Sequence, residues 1–233
     1  MCKYRTMSTY TTELPIRPEL DAAHGDLATR WATPSHSWSS KQRLSVIAEV
    51  RRAIDADELA PWEAPSSIEG FIANNHPLPD AAIDIIWRLT NHPGTLTKEW
   101  YESIISRNID PVAYVELIGL VAQANCVDRF ADGLGVKRVD LPDPIATKTA
   151  VTSELEVSVT THWVPTAATK GPNVLKALSS VPFENESREI LSSVQYVPTA
   201  ALLGDLTSGY NSLTRLQIEL VAARTSKLNE CFY

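Results

Sequence analysis

The segment from Asp110 to Gly135 constrains this chain more than any other. Asp110-Pro111 reads as a helix N-cap followed by a proline at the first helical position, where a missing N–H does no harm. Val112, Val115, Leu117, Ile118, Val121, Ala122 and Ala124 then follow with few polar breaks, and Gly133-Leu134-Gly135 supplies a stop. A helix that is apolar on nearly every side must be surrounded, so the segment predicts a buried central helix with others packed around it. With 233 residues, 44% of them hydrophobic, the chain has the material for such a core.

The flanking sequence offers those neighbours. Ser39 and Ser40 are candidate caps ahead of Leu44, Ile47, Val50, Ala53 and Ile54, with Lys41, Arg43, Arg51 and Arg52 mostly on the other side. Ala60-Pro61 is expected to end that helix. Pro79 to Thr90 reads as a helix halted by Asn91-His92-Pro93-Gly94, and Lys98 to Ser106 as another opened by Thr95 and Thr97. Prolines at 142, 144, 165 and 172 break the pattern, and the Thr/Val-rich stretch 157–164 has the composition of a short strand. Helical spacing resumes over Asn173 to Ser180, Asn185 to Gln195 and Ser212 to Leu228, where Leu213, Leu216, Leu220 and Ala223 share a face. Residues 8–37, rich in Thr, Ser, Pro and Asp, are expected to be a loop with at most a short turn around Pro18 to Thr29.

The expectation is therefore an all-α chain in four parts: an N-terminal arm (1–37), a first helical lobe (38–136), a linker wrapping that lobe (137–172) and a second helical lobe (173–233). Aligning Arg43 with Arg215 also matches Leu44 with Leu216, Arg52 with Arg224 and Glu58 with Glu230, and sets Leu59 where the second copy has Cys231. These matches suggest a tandem duplication whose first copy lacks the thiol.

Charge and composition narrow the partners. A net charge of -7 gives no basic field for phosphate backbones, so nucleic acid is not an expected partner. No run of 18 apolar residues occurs, and the first residues lack a leader's apolar stretch, so a cytoplasmic protein without membrane contact is expected. Cys2, Cys126 and Cys231 are too few and too scattered for a disulfide framework. The five histidines lie in expected turns and loops (His76 and His92 before prolines; His24, His36 and His162 in loops) with no ligand spacing, so neither a metal nor another cofactor is expected. Cys126 reads as a small core residue, Glu116 and Asp128 with Arg129 as charges paired across an interface, and the six tryptophans as core and interface anchors.

The chemistry concentrates at the end of the sequence. The last helix carries Glu219 and runs through Asn229 to Cys231-Phe232-Tyr233. This stretch resembles the core of the alkylhydroperoxidase D-like (carboxymuconolactone decarboxylase) family, in which a glutamate-bearing helix leads into an Asn-x-Cys-x-x-Cys-x-x-x-His segment. Tyr114 to Val121, Asp128-Arg129 and Leu134-Gly135-Val136 resemble the family's helix after that motif. The resemblance implies an all-α fold and a thiol-dependent hydroperoxide peroxidase or disulfide oxidoreductase of antioxidant defence, with a hydroperoxide substrate, a dithiol reductant protein and a homo-oligomeric state. It assigns Glu219 to the proton relay and Cys231 to the first, resolving cysteine.

Physical reasoning adds conditions. On one straight helix Glu219 and Cys231 would be ~18 Å apart at 1.5 Å per residue, so the helix must break near Leu228. Asn229 or Ser226 could then cap a new helix with Cys231 in its first turn, where backbone N–H groups lower a thiol pKa. The second cysteine and the histidine of the motif would follow Tyr233, and a three-residue stub sums no helix dipole. The chain as written is therefore not expected to complete the two-thiol cycle. Selenocysteine, whose UGA codon reads as a stop, is one reading of the next position, and a nonsense codon, a frameshift or a fragment would give the same protein sequence. Two other readings stand beside the peroxidase: a cofactor-free lactone decarboxylase working by acid–base groups, and a non-catalytic helical oligomerisation protein.

Overall fold

A computed structural model of the chain describes residues 8–146, 155–160, 162–167, 170–197, 209, 212–229 and 231. Among them lie eight α-helices: α1 (Pro18–Trp31), α2 (Ser40–Asp55), α3 (Asp80–Asn91), α4 (Lys98–Ile105), α5 (Pro111–Leu134), α6 (Asn173–Lys176), α7 (Pro182–Gln195) and α8 (Arg215–Leu228). The fold is all-α, as expected. The stretch expected to resemble a strand contributes one isolated antiparallel bridge, Ser158 to Thr166, held by two 3.0 Å hydrogen bonds.

The central helix forms as its ends dictate. Asp110 accepts from the N–H groups of Val112 and Ala113, Pro111 occupies the first position, and Gly135 closes α5 in the left-handed conformation at φ 67°. Leu117, Leu120, Ala124 and Val127 are fully buried beneath α2 and α3, whose Val46, Ile47, Ile83, Ile85 and Ile86 complete the core. α2 starts at a capping box, Ser39 with Gln42, and α4 starts at Thr97.

The sequence expectation fails at α1, where a 14-residue helix replaces the expected loop. Leu20, Ala23, His24, Leu27, Ala28 and Trp31 are buried and follow helical spacing. Alanines and a histidine hold half of those positions, so the apolar stripe is faint to the eye. α2 stops at Asp55 rather than near Pro61, because the extended chain after it packs Leu59 on the core and gives that residue's carbonyl to His92 Nε2 at 2.5 Å.

Residues 137–146 run along the core. Arg51 Nη2 donates to Val139 O at 2.8 Å, Ile145 N donates to Ser40 Oγ at 2.9 Å, and Val139 and Leu141 pack on the cluster below. Residues 173–195, expected to open a second lobe, pack directly on the first. α7 lies against α1 and α5, with Arg30 reaching Ser187 Oγ (2.7 Å) and Phe183 O (2.8 Å). Trp31, Trp38 and Trp87 are core residues, whereas Trp62 is 84% exposed.

The outer helix behaves differently. α8 buries only Ile218, while Leu216 and Leu220 are 83% and 70% exposed, so the leucine stripe faces away from the core. The duplication alignment also meets a difference in frame: Arg43 is the fourth residue of α2, whereas Arg215 is the first of α8. Glu230, aligned with Glu58, lies outside the described residues.

One glycine sets how closely α7 seats on α5. A Cβ on Gly119 would meet Glu184 Cβ at 2.7 Å and Cγ at 3.0 Å, and that glutamate is fully buried. Overpacking costs about 1–3 kcal/mol, set against a gain of up to about 1 kcal/mol in helix propensity. Gly119→Ala is therefore expected to lower the thermal midpoint by roughly 2–6 °C in a circular-dichroism melt.

Candidate functional site

The two residues singled out by the motif lie on and just beyond α8. Glu219 is held in place, accepting from Arg215 Nε at 2.7 Å and from Tyr196 Oη at 3.2 Å. α8 then runs unbroken to Leu228. Asn229, expected to cap a following helix, caps the end of this one: its Nδ2 donates to Thr225 O at 2.9 Å. The Cys231 N–H donates to Ser226 O at 2.9 Å, folding the chain over the carbonyl end of α8. The exposed thiol thus belongs to the negative pole of a helix rather than to the expected positive one. Ser226 is seven residues beyond Glu219, about 10 Å along the axis, so the carboxylate and thiol are not within hydrogen-bond reach. Phe232 and Tyr233, with its α-carboxylate, lie outside the described residues.

Tyr196 connects Glu219 to a groove of about 730 Å³ between α5, α7 and α8. Ala122, Leu191, Ile218 and Val221 give it apolar walls, and Gln123, Gln195, Arg17 and Arg188 place polar groups in it. Cys126 is there too, exposed rather than in the core. The reason is periodic: Ala122, Cys126, Arg129 and Gly133 form the exposed stripe of α5. The groove walls still desolvate the thiol and push its pKa up.

Beneath the groove lies a fully buried polar network. Arg43 Nη1 donates to Glu116 Oε1 at 2.6 Å and to Glu184 Oε1 at 2.7 Å, so one guanidinium joins α2, α5 and α7. The Ser37 N–H donates to Glu116 Oε2 at 2.7 Å, and Gln123 Nε2 donates to Glu184 Oε2 at 2.7 Å. Burial and the neighbouring Glu184 carboxylate push Glu116 up to about 7 despite Arg43, so this site exchanges a proton near neutrality. Asp128 is satisfied by a two-pronged pair with Arg51, at 2.8 and 2.9 Å, while Arg129 bonds Asn125 at the surface. Glu116 and Asp128 are thus paired between helices of one core.

His24, expected in a loop, is a fully buried residue of α1. Gln195 Nε2 donates to its Nε2 at 3.0 Å, which leaves Nδ1 to carry the proton toward Tyr10 Oη at 2.7 Å. Burial lowers its pKa to about 4, so it is neutral at pH 7. Among the described residues no group of histidine, cysteine and carboxylate side chains is arranged to hold a metal.

Sequence reasoning missed Gln123, Glu184 and Gln195 as parts of a site. The available signal was a glutamine inside the most apolar run of the chain, since a buried amide has to find partners. Comparison with protein-family models, with curated proteins and with solved structures finds no match.

Two buried groups titrate with opposite signs. His24 has a folded pKa below its unfolded value, so the unfolded chain takes up the extra proton and stability falls as pH drops from about 6.5 toward 4. Glu116 has a folded pKa above its unfolded value, so its contribution is present at low pH and is lost as pH rises from about 4.5 through 7. In urea unfolding between pH 5 and 7, Glu116→Gln is expected to steepen the fall in stability toward acid, and His24→Asn to reverse it. Each change in slope is at most about 1.4 kcal/mol per pH unit.

Proposed function

We propose that this chain is an alkylhydroperoxidase D-like protein that takes part in thiol-dependent reduction of hydroperoxides or of partner disulfides in the cytoplasm. The observation that carries the reading is the hydrogen bond from Tyr196 to Glu219, which ties the relay carboxylate of the motif to the wall of a ligand-sized groove. Glu219 is held from two sides and is half-exposed, as a group that passes protons to solvent must be. Cys231 follows the same helix and is exposed.

The chemistry balances with a dithiol. A thiolate attacks the terminal oxygen of ROOH, the O–O bond breaks, and a sulfenic acid and ROH result once a proton reaches the alkoxide. A dithiol partner then reduces the sulfenic acid, giving water, the regenerated thiol and the partner's disulfide. Glu219 would serve as a proton carrier, and Cys231, the motif thiol present in this chain, as the thiol that ROOH oxidises and the dithiol partner reduces again. Burial desolvates the Cys126 thiol and pushes its pKa up, and Cys231 sits beyond the carbonyl end of α8. Turnover by this chain is accordingly expected to be slow.

The buried pair Glu116–Glu184, reaching the groove through Gln123, favours a second reading, the cofactor-free lactone decarboxylase. That reaction would depend on Glu184 and Gln123 and on neither cysteine. The third reading rests on the exposed Leu216–Leu220 stripe, which suits self-association.

Purified protein challenged with cumene hydroperoxide and a dithiol tests the first reading. Cys231→Ser is expected to slow thiol-dependent peroxide loss at least tenfold and Glu219→Gln several-fold, with Cys126→Ser near the parent. A Cys231→Ser rate equal to the parent's sinks the proposal. Light scattering tests the association: Leu216→Gln with Leu220→Gln is expected to shift an oligomer to monomer at equal concentration.

A further inference from the structure

We infer that the groove between α5, α7 and α8 is a binding site for an amphipathic carboxylate, a single alkyl chain ending in an anionic head. The volume of about 730 Å³ falls in the range of small-molecule pockets, and the walls that Leu191, Ile218 and Val221 supply are made for an alkyl chain. Burial of each methylene there adds to the affinity, so a ten-carbon chain is long enough to be held.

The charges in the groove select the head group. The protein is acidic overall, yet among the described residues the charged side chains lining this groove are two arginines, Arg17 and Arg188. Arg188 makes one hydrogen bond, Nε to Asn185 Oδ1 at 3.2 Å, and among the described residues it has no carboxylate partner. Its terminal nitrogens are available for a ligand. Arg17 is anchored beside the end of α7, with Nη2 donating to Val194 O and Nη1 pairing with the exposed Glu19 at 2.9 Å. Both cations therefore stand on the α7 side, and a planar guanidinium fork matches a carboxylate in shape as well as charge.

A second, independent observation points to a ligand. Gln123 is 2% exposed and lines the groove, its Nε2 is committed to Glu184, and its Oε1 has no partner among the described residues. A buried acceptor left without a donor is unfavourable, and a hydroxyl carried on the alkyl chain would satisfy it, so a hydroxylated decanoate is expected to bind more tightly than decanoate itself. Cys126 lies one turn further along α5 and is the thiol that such a ligand would cover. α8 forms one wall while burying only Ile218, so it can shift to admit a chain without disturbing the core.

Calorimetric titration of the full chain with decanoate and with decyltrimethylammonium tests the inference. Cys2, Cys126 and Cys231 are all replaced by serine so that thiol chemistry plays no part. Decanoate is expected to bind at least tenfold more tightly than the cation. Arg17→Gln with Arg188→Gln should abolish that preference by weakening decanoate alone, and Val221→Asp, at an exposed position of α8, should weaken both ligands at least tenfold while leaving the circular-dichroism spectrum unchanged. Hydroperoxide assays on the same proteins report separately on the thiol reading. Equal affinity for anion and cation, absence of decanoate binding at millimolar concentration, or Val221→Asp binding like the parent would overturn the site.

Discussion

Everything in this fold is arranged about the Arg43 guanidinium. It is the point at which α2, α5 and α7 meet, and it is answered by two carboxylates, all three side chains being fully buried. Attraction in so dry a place is strong, but so is the cost of removing three charged groups from water, and the balance makes the cluster a device of specificity more than of stability. Only one seating of α7 satisfies Glu184, and Gly119 leaves just enough room for it. The core therefore admits α7 in one register, which also fixes where the groove beside it opens.

That dependence explains which parts of the fold could be read from the sequence. Elements with chemical punctuation were plain: Asp110-Pro111 and Gly135 define α5, Ser39 with Gln42 opens α2, and Thr97 opens α4. α1 escaped because its buried face is built from alanines and a histidine whose partners, Tyr10 and Gln195, lie 14 and 171 residues away. The same holds for the polar core. Arg43 reads as the outer face of an amphipathic helix until Glu116 and Glu184 are known to face it, across separations of 73 and 141 residues. Charge pairing at that range leaves no local pattern.

The candidate site divides in the same way. Glu219, Asn229 and Cys231 were conspicuous as a motif, yet the local geometry gives Asn229 to the end of α8 and folds Cys231 back over it. The groove, by contrast, had no motif, because it is assembled from three helices that are distant in sequence and from the exposed stripe of α5. Cys126 illustrates the point: apolar neighbours in sequence suggested burial, and the helical period put the thiol on the open side.

Among the described residues, α8 is fastened by little more than Ile218 and the hydrogen bond between Tyr196 and Glu219. The chain thus has two tiers of cohesion, a core that opens only when the whole molecule unfolds and an outer helix whose amides can exchange with solvent by local detachment. A molecule entering the groove would gain from closing that outer tier, and its occupancy would be written in the protection of the α8 backbone before any change reached the helices beneath.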